Sequence, residues 1–282
     1  MNEDGTNIRQ ITYDSSFPVV DGVWSPDGDV IAITSPVGGI DYYGSAIYLI
    51  NPDGTQRHRL VESTGDQPVW SPDGKTIAFY RYIGPDGAGQ TDIFLIDVDG
   101  THERRLTETP TKSEQVDSWS SDGRYLYFSF FDFALRDSAG QYTNKNDQVG
   151  RMMVNGDSVR VLLLAEGGAR GALVSPDDSL LVFDTFVPFI SRGGLADQMQ
   201  LLRLSGSGYH PLRQNDYRWE WAVGWSPDGK KILFNYRDDQ RIPHQNAPQA
   251  ISITNIDGNN VKRITPFDYA QANFFATSWR RR

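Results

Sequence analysis

Three aspartates, Asp21, Asp66 and Asp117, each stand two to four residues before a copy of a short phrase that opens with tryptophan. Carboxylates arriving together from equivalent places in successive units could bind a hard cation, and Ca²⁺ takes several oxygen ligands. Asp21, Asp66 and Asp117 are therefore the Ca²⁺ candidates. Solvated carboxylates that cap loop turns are the simpler reading and carry more weight. The run Asp97-Val98-Asp99-Gly100 resembles part of a calcium loop, but it lacks the acidic ligand downstream. Hairpin-turn chemistry accounts for it. A histidine metal centre has little material. Of the four histidines, His58, His102 and His210 follow turn glycines by two to four residues and map to outermost strands. Only His244 reaches a long loop. The chain has no cysteine, which removes disulfides, thiolate chemistry and Cys-ligated zinc. No Gly-x-Ser-x-Gly elbow is present, so a peptidase nucleophile is missing. Paired catalytic carboxylates need a fold to place them. No catalytic residue, metal ligand or cofactor is assigned beyond the Ca²⁺ candidates.

Binding chemistry is better represented. Long segments at about 35–46, 81–92, 130–149, 185–198 and 236–249 concentrate aromatic and arginine side chains. Tyr42, Tyr43, Arg81, Tyr82, Phe131, Asp132, Arg192, Tyr236, Arg237, Arg241 and His244 lie there. Trp219 and Trp221 add two indoles outside the repeated phrase. Tyr, Trp and Arg are the types enriched at binding hot spots. Aromatics tucked under long loops as satellite core are an equally weighted alternative for any one of them. Trp219 and Trp221 are expected to point to opposite sides of an extended segment, which leaves at most one for a ligand.

The elements that must position these residues repeat. Trp24-Ser25-Pro26-Asp27-Gly28 returns at Trp70–Gly74 and Trp225–Gly229, altered at Trp119-Ser120-Ser121-Asp122-Gly123 and eroded at Val174-Ser175-Pro176-Asp177-Asp178. A cut-off copy ends the chain at Ser278-Trp279. A period near 50 residues marks a repeat architecture. Within each unit a Ser-Pro-Asp-Gly turn separates an inner strand from an apolar run such as Ile77-Ala78-Phe79-Tyr80. A third run follows (Ile93-Phe94-Leu95-Ile96), then a second turn and a polar fourth strand. Turn residues at fixed offsets between short apolar runs mean an all-β fold. Four strands per unit, solidly apolar inside and polar outside, is the pattern of a β-propeller blade. The box tryptophan is expected to pack between blades.

The Trp-Ser-Pro-Asp-Gly boxes, paired with segments such as Ile47-Tyr48-Leu49-Ile50-Asn51-Pro52-Asp53-Gly54, resemble the WD40-like (PD40) repeats of the TolB family over nearly the whole chain. The motif is specific for fold and poor for function. The resemblance implies a six-bladed propeller and a periplasmic or secreted setting, although no signal peptide opens this chain. Related blades occur in prolyl-oligopeptidase-type peptidases and oligogalacturonate lyases. The expected function is a non-catalytic scaffold that binds a protein or peptide on its loop-rich face. The alternative is a carbohydrate- or peptide-active enzyme of lyase or hydrolase type, or its accessory propeller domain.

Residues 1–282 read as one domain whose sixth blade is split between the termini. Gly5–Thr12 parallels Gly258–Thr265, an outermost strand, and residues 275–279 parallel an innermost one. Counting leaves about 22 residues missing from that blade. Met1 is thus expected to be internal to a longer protein, and the split blade to be a place where another chain's strand could pair. The net charge of −9 disfavours nucleic acid or an anionic membrane as partner. No apolar run reaches the ~18 residues that span a bilayer.

Overall fold

A computed structural model describes residues 4, 6–14, 17–37, 45–63, 65, 67–83, 90–135, 140, 147–163, 165, 168–188, 195–206, 208–213, 218–238 and 249–265. These form five four-stranded antiparallel sheets, each a simple meander of consecutive strands. Blade 1 contains β1 (Asp21–Trp24), β2 (Ile31–Pro36), β3 (Ser45–Ile50) and β4 (His58–Ser63). Blade 2 contains β5 (Val69–Trp70), β6 (Thr76–Ile83), β7 (Gln90–Asp97) and β8 (Arg104–Arg105). Blade 3 contains β9 (Lys112–Trp119), β10 (Tyr125–Asp132), β11 (Asp147–Met153) and β12 (Arg160–Leu163). Blade 4 contains β13 (Ala169–Val174), β14 (Leu180–Pro188), β15 (Leu195–Arg203) and β16 (Tyr209–Pro211). Blade 5 contains β17 (Arg218–Trp225), β18 (Lys231–Asp238), β19 (Gln249–Asn255) and β20 (Lys262–Arg263).

The repeated phrase is a hydrogen-bonded turn. In every box the serine hydroxyl donates to the aspartate two residues on, at 2.5–2.8 Å. The same oxygen accepts from the backbone N–H five residues on, at 2.9–3.0 Å. Buried backbone donors are thereby satisfied where the chain reverses. Those serine bonds, with nearby backbone N–H groups, hold Asp27, Asp73, Asp177 and Asp228 below the usual carboxylate range. Asp122 falls to about 2, mainly through the Arg124 backbone N–H.

The core lies between blades, not inside one. Ala32, Ile47 and Leu49 of blade 1 pack with Ile77, Phe79 and Ile96 of blade 2. Ala78 and Leu95 meet Leu126 and Phe128 across the next seam. Tyr127 meets Phe183 across the third, and Val182 and Met199 meet Phe234 across the fourth. Strands covered on both faces have no polar side, which is why the second and third strands read as unbroken apolar runs.

Tryptophan stitches three of these seams. The indole N–H of Trp70 donates to Val23 O (3.2 Å), that of Trp119 to Val69 O (3.1 Å) and that of Trp225 to Leu173 O (2.9 Å). The seam between blades 3 and 4 has Val174 in that place and is stitched differently. Ser118 donates its hydroxyl to Ala172 O (2.7 Å) and accepts from Val174 N (3.1 Å). In the other seams the box proline of one blade sits 3.6–3.8 Å from where a Cβ on the next blade's box glycine would lie. At the third seam both positions change together. Ser121 replaces the proline and Asp178 the glycine, and the Asp178 carboxylate accepts from Ser121 N (2.9 Å) and Ser121 Oγ (2.5 Å). The two substitutions make one device. Chemical denaturation should show Ser121→Pro and Asp178→Gly each costing about 1–2 kcal/mol, and the double variant costing less than their sum. Additive losses would show that the pair is not coupled.

Five blades are seen where six were expected. Residues 6–14 form no strand, because among the described residues no third strand lies beside them. The segment still carries the chemistry of a second turn. Asp4 Oδ1 accepts from Thr6 N (2.9 Å) and Thr6 Oγ1 (2.6 Å), as Asp53 does from Thr55 at the same distances. Asn7 has φ 54°, matching Gln56 at 54° and His102 at 53°. Ile11 packs on Ile31, Ile33 and Ile50 of blade 1. The closing segment expected at residues 275–279 lies outside the described residues.

Candidate functional site: the central channel

The innermost strands β1, β5, β9, β13 and β17 surround a channel of about 940 Å³. Its floor, on the tight-turn side, is made of the box tryptophans and prolines. Its upper half is built by residues standing four before each box: Val20, Gln115, Arg170 and Trp221 all line it. Blade 2 contributes Gln67 and Pro68, and the equivalent Asp66 lies outside the described residues.

One wall differs from the rest. Strands β9, β13 and β17 each carry a β-bulge facing their second strands. The extra residue is Asp117 in β9, lies within Gly171-Ala172 in β13, and is Val223 in β17. Bulges re-aim side chains and cluster at functional sites. Here they gather carboxyls. Asp117 Oδ2 accepts from Ser129 Oγ at 2.5 Å, and Ser129 Oγ accepts from Gly171 N at 2.8 Å, which ties blade 3 to blade 4. Gly171 has φ +68°, and a Cβ there would lie 3.2 Å from Asp184 Oδ2. The positive φ favours glycine, and a Cβ would crowd the Asp184 carboxylate. Asp184, 4% exposed, accepts from Ala222 N at 3.3 Å and so reaches blade 5. Asp197, also 4% exposed, takes both oxygens to Arg170 Nη2 at 2.8 Å. The Arg170 guanidinium lies 4.3 Å from the Phe186 ring centroid.

Burial sets the protonation of this wall. Loss of water raises Asp117 to about 7, although part of its surface opens to the channel; the Ser129 hydroxyl and the Ala172 backbone oppose the shift. Asp184 is pushed well above the carboxylate range by burial and then by the charge of Asp197, against Arg170. Burial also raises Asp197 and Asp147 despite Arg170. A carboxyl whose folded pKa is raised stabilises the fold below the unfolded value and loses that contribution as pH climbs through the folded one. The turn aspartates behave oppositely, losing theirs as pH falls from about 4 towards 2. Unfolding free energy measured in denaturant should therefore peak near pH 4–5 and decline towards pH 8. A maximum at pH 7 or above would contradict these assignments.

The aromatic side of the channel is β17. Trp219 and Trp221 both line it, with Glu220 between them fully buried and paired to Arg213 at 3.2 Å. Opposite orientations were expected of the two tryptophans. Residues two apart on a strand share a face, and both indoles point the same way. The Arg237 guanidinium lies 4.7 Å from a Trp219 ring centroid and also lines the channel, as does Asn235.

The remaining expectations fare unevenly. Strands run further into the long segments than the sequence suggested, so Arg81, Tyr82, Phe131, Asp132, Tyr236 and Arg237 belong to strands rather than loops. Arg81 is tied to Glu103 (2.6 Å) and Glu62 O (2.7 Å) and lies near Phe94, a seam role. Tyr82 meets Tyr80 edge-on, and Phe131 meets Phe133 likewise. Asp132 caps a turn through Ala134 N at 2.9 Å. Tyr236, at 8% exposed, is core between blades 4 and 5. Tyr42, Tyr43, Arg192, Arg241 and His244 lie outside the described residues. Of the Ca²⁺ candidates, Asp21 and Asp117 line the channel. Among the described residues no three His, Asp or Glu are grouped to hold a metal ion. Arg170, Asp184 and Asp197 were missed. Their signals were present: the fourth position before a box, and an acid interrupting the apolar run Leu180-Leu181-Val182-Phe183-Asp184.

Comparison with known proteins agrees with this architecture. No curated protein matches the chain in sequence. Among solved structures, a putative TolB from Agrobacterium tumefaciens superposes with a TM-score of 0.68 at 20% identity, over 90% of this chain and 82% of that one. TolB from Acinetobacter baumannii gives 0.62 at 20% identity, over 87% of this chain and 54% of that one. An oligogalacturonate lyase in complex with manganese gives 0.58 at 15% identity, over 87% and 64%. These likenesses establish a propeller and leave its use open. The model of the TolB beta propeller domain matches residues 1–271, and the chain belongs to that family.

Proposed function

We propose that this propeller is a non-catalytic scaffold that binds an extended peptide or protein segment at the loop-side mouth of its channel. The observation that carries the reading is the pair Trp219 and Trp221, both turned into a cavity that also holds Arg170 and Arg237. Rigid aromatics beside arginines in a concave site are what binding hot spots are made of. Both stand on the stretch of β17 that pairs in regular register with β18, Arg218 to Ala222, so a sheet rather than a loop presents them. Of the residues suggested by sequence, Trp219, Trp221 and Arg237 keep this role. An extracytoplasmic setting accompanies the proposal through the family resemblance.

The test is selection of ligands from a random linear peptide library on the immobilised protein. Peptides that bind should lose about thirtyfold or more in affinity to a Trp219→Ala, Trp221→Ala variant whose melting temperature stays near that of the parent. Selected peptides that bind the variant equally well would remove the channel from the account. A catalytic reading draws on Asp117, whose carboxyl near neutrality suits general acid–base work. It requires turnover of an oligogalacturonide or peptide that disappears in Asp117→Asn.

A further inference from the structure

Two carboxyls beside these bulges, Asp117 and Asp184, do more than line the channel. Asp117, through Ser129, holds the β13 backbone at Gly171. Asp184 holds the β17 backbone at Ala222, next to Trp221 and three residues before the box tryptophan Trp225. Inner strands of three successive blades are thus linked at their bulges through two carboxyl groups, where strand-to-strand ladder bonding is interrupted. The third seam, which the Asp117–Ser129 link crosses, is also the one with Val174 in place of the box tryptophan.

We propose that this wall is a proton-controlled latch: uptake of protons by Asp117 and Asp184 closes blades 3, 4 and 5 together at the channel mouth, and proton loss loosens them. The charged groups facing the pair are few. Asp184 is faced by Asp197 from β15, by Arg170 from β13 and by Asp117 from β9. Arg170 is engaged by Asp197, which Arg237 from β18 also influences, and Asp147 from β11 faces Arg170 as well. Arg170 is thus shared among three acids, Asp184, Asp197 and Asp147. With Asp117 and Asp184 both ionised, the wall carries like charges that a half-exposed arginine only partly offsets, and repulsion acts across the bulges. Burial raises Asp117 to about 7 and pushes Asp184 well above the usual carboxylate range, so the wall begins to lose protons at Asp117 near neutral pH. The moving parts are the starts of β13 and β17, which carry Arg170, Trp219 and Trp221. The latch therefore sets the shape of the mouth whether or not a peptide is its ligand.

Hydrogen–deuterium exchange of the free protein tests this. After correction for intrinsic rates, peptides covering 169–174 and 218–225 should lose about tenfold protection between pH 5 and pH 8.5. Peptides covering 31–36 and 45–50 in blade 1 should change little. In an Asp117→Asn, Asp184→Asn variant, which keeps both side chains neutral, the pH-dependent loss should vanish. Retention of the full loss in that variant would overturn the latch. Should the variant not fold, tryptophan fluorescence of the parent protein decides the matter. A titration step near pH 7 supports the latch, and a flat profile from pH 5 to 8.5 overturns it.

Discussion

Trp225→Ala should be among the most damaging single substitutions in this chain, costing about 3–5 kcal/mol of folding free energy. Trp225 is 9% exposed and sits in the cluster that joins blades 4 and 5, against Val182, Met199 and Phe234. Its removal leaves a cavity at a seam and strips Leu173 O of its donor. For a chain of this size the loss corresponds to a melting temperature lower by on the order of 10 °C. Trp225→Phe separates the two contributions. It keeps most of the ring volume, loses the indole N–H, and should cost about 1–3 kcal/mol. Thermal and urea unfolding read both values. A Trp225→Ala cost below about 1 kcal/mol would mean that the seams are not where this fold gains its stability.

Arg170→Met should also be costly at pH 8 and much less so at pH 5. At pH 8 the substitution removes the ion-pair partner of Asp197 and leaves that buried carboxylate beside Asp184, at a cost of about 2–3 kcal/mol, less than for a fully buried pair because the Arg170 side chain is 45% exposed. At lower pH the stranded acid takes up a proton and the penalty shrinks. The sign follows from the direction of the shifts. Burial already raises Asp197 and Asp184, and loss of the opposing Arg170 charge raises them further. Their stabilising protonated forms persist below the folded pKa and are lost as pH rises through it. Urea midpoints of parent and variant from pH 5 to 8 should diverge with rising pH. Parallel profiles would show that Arg170 does not govern these acids.

Much of this fold is written in local chemistry. The serine and aspartate of each box can be read as a turn because they satisfy that turn's own backbone groups, and they do so in all five blades. The second and third strands are legible because both faces are covered by neighbouring blades. The site is less legible, because it is assembled across blades. Asp117 was visible from its place before Trp119, but its partner Ser129 is on the next strand and its neighbour Asp184 belongs to another blade. Tyr236 looked like a loop aromatic because Asn235 interrupts the apolar run Ile232-Leu233-Phe234 before it, although the strand continues and packs it in the core between blades 4 and 5. Trp219 and Trp221 were noticed, and strand periodicity alone puts both on one face. The blade count went astray at residues 6–14, which keep the turn chemistry of a sixth unit without forming a sheet.

A crystal structure of the protein with the tightest peptide selected from a random library tests the central claim most directly. The peptide should lie in the channel mouth against Trp219 and Trp221, within contact of Arg170 or Arg237. A peptide seated instead on the tight-turn face or along an outer strand, with the channel empty, would contradict it.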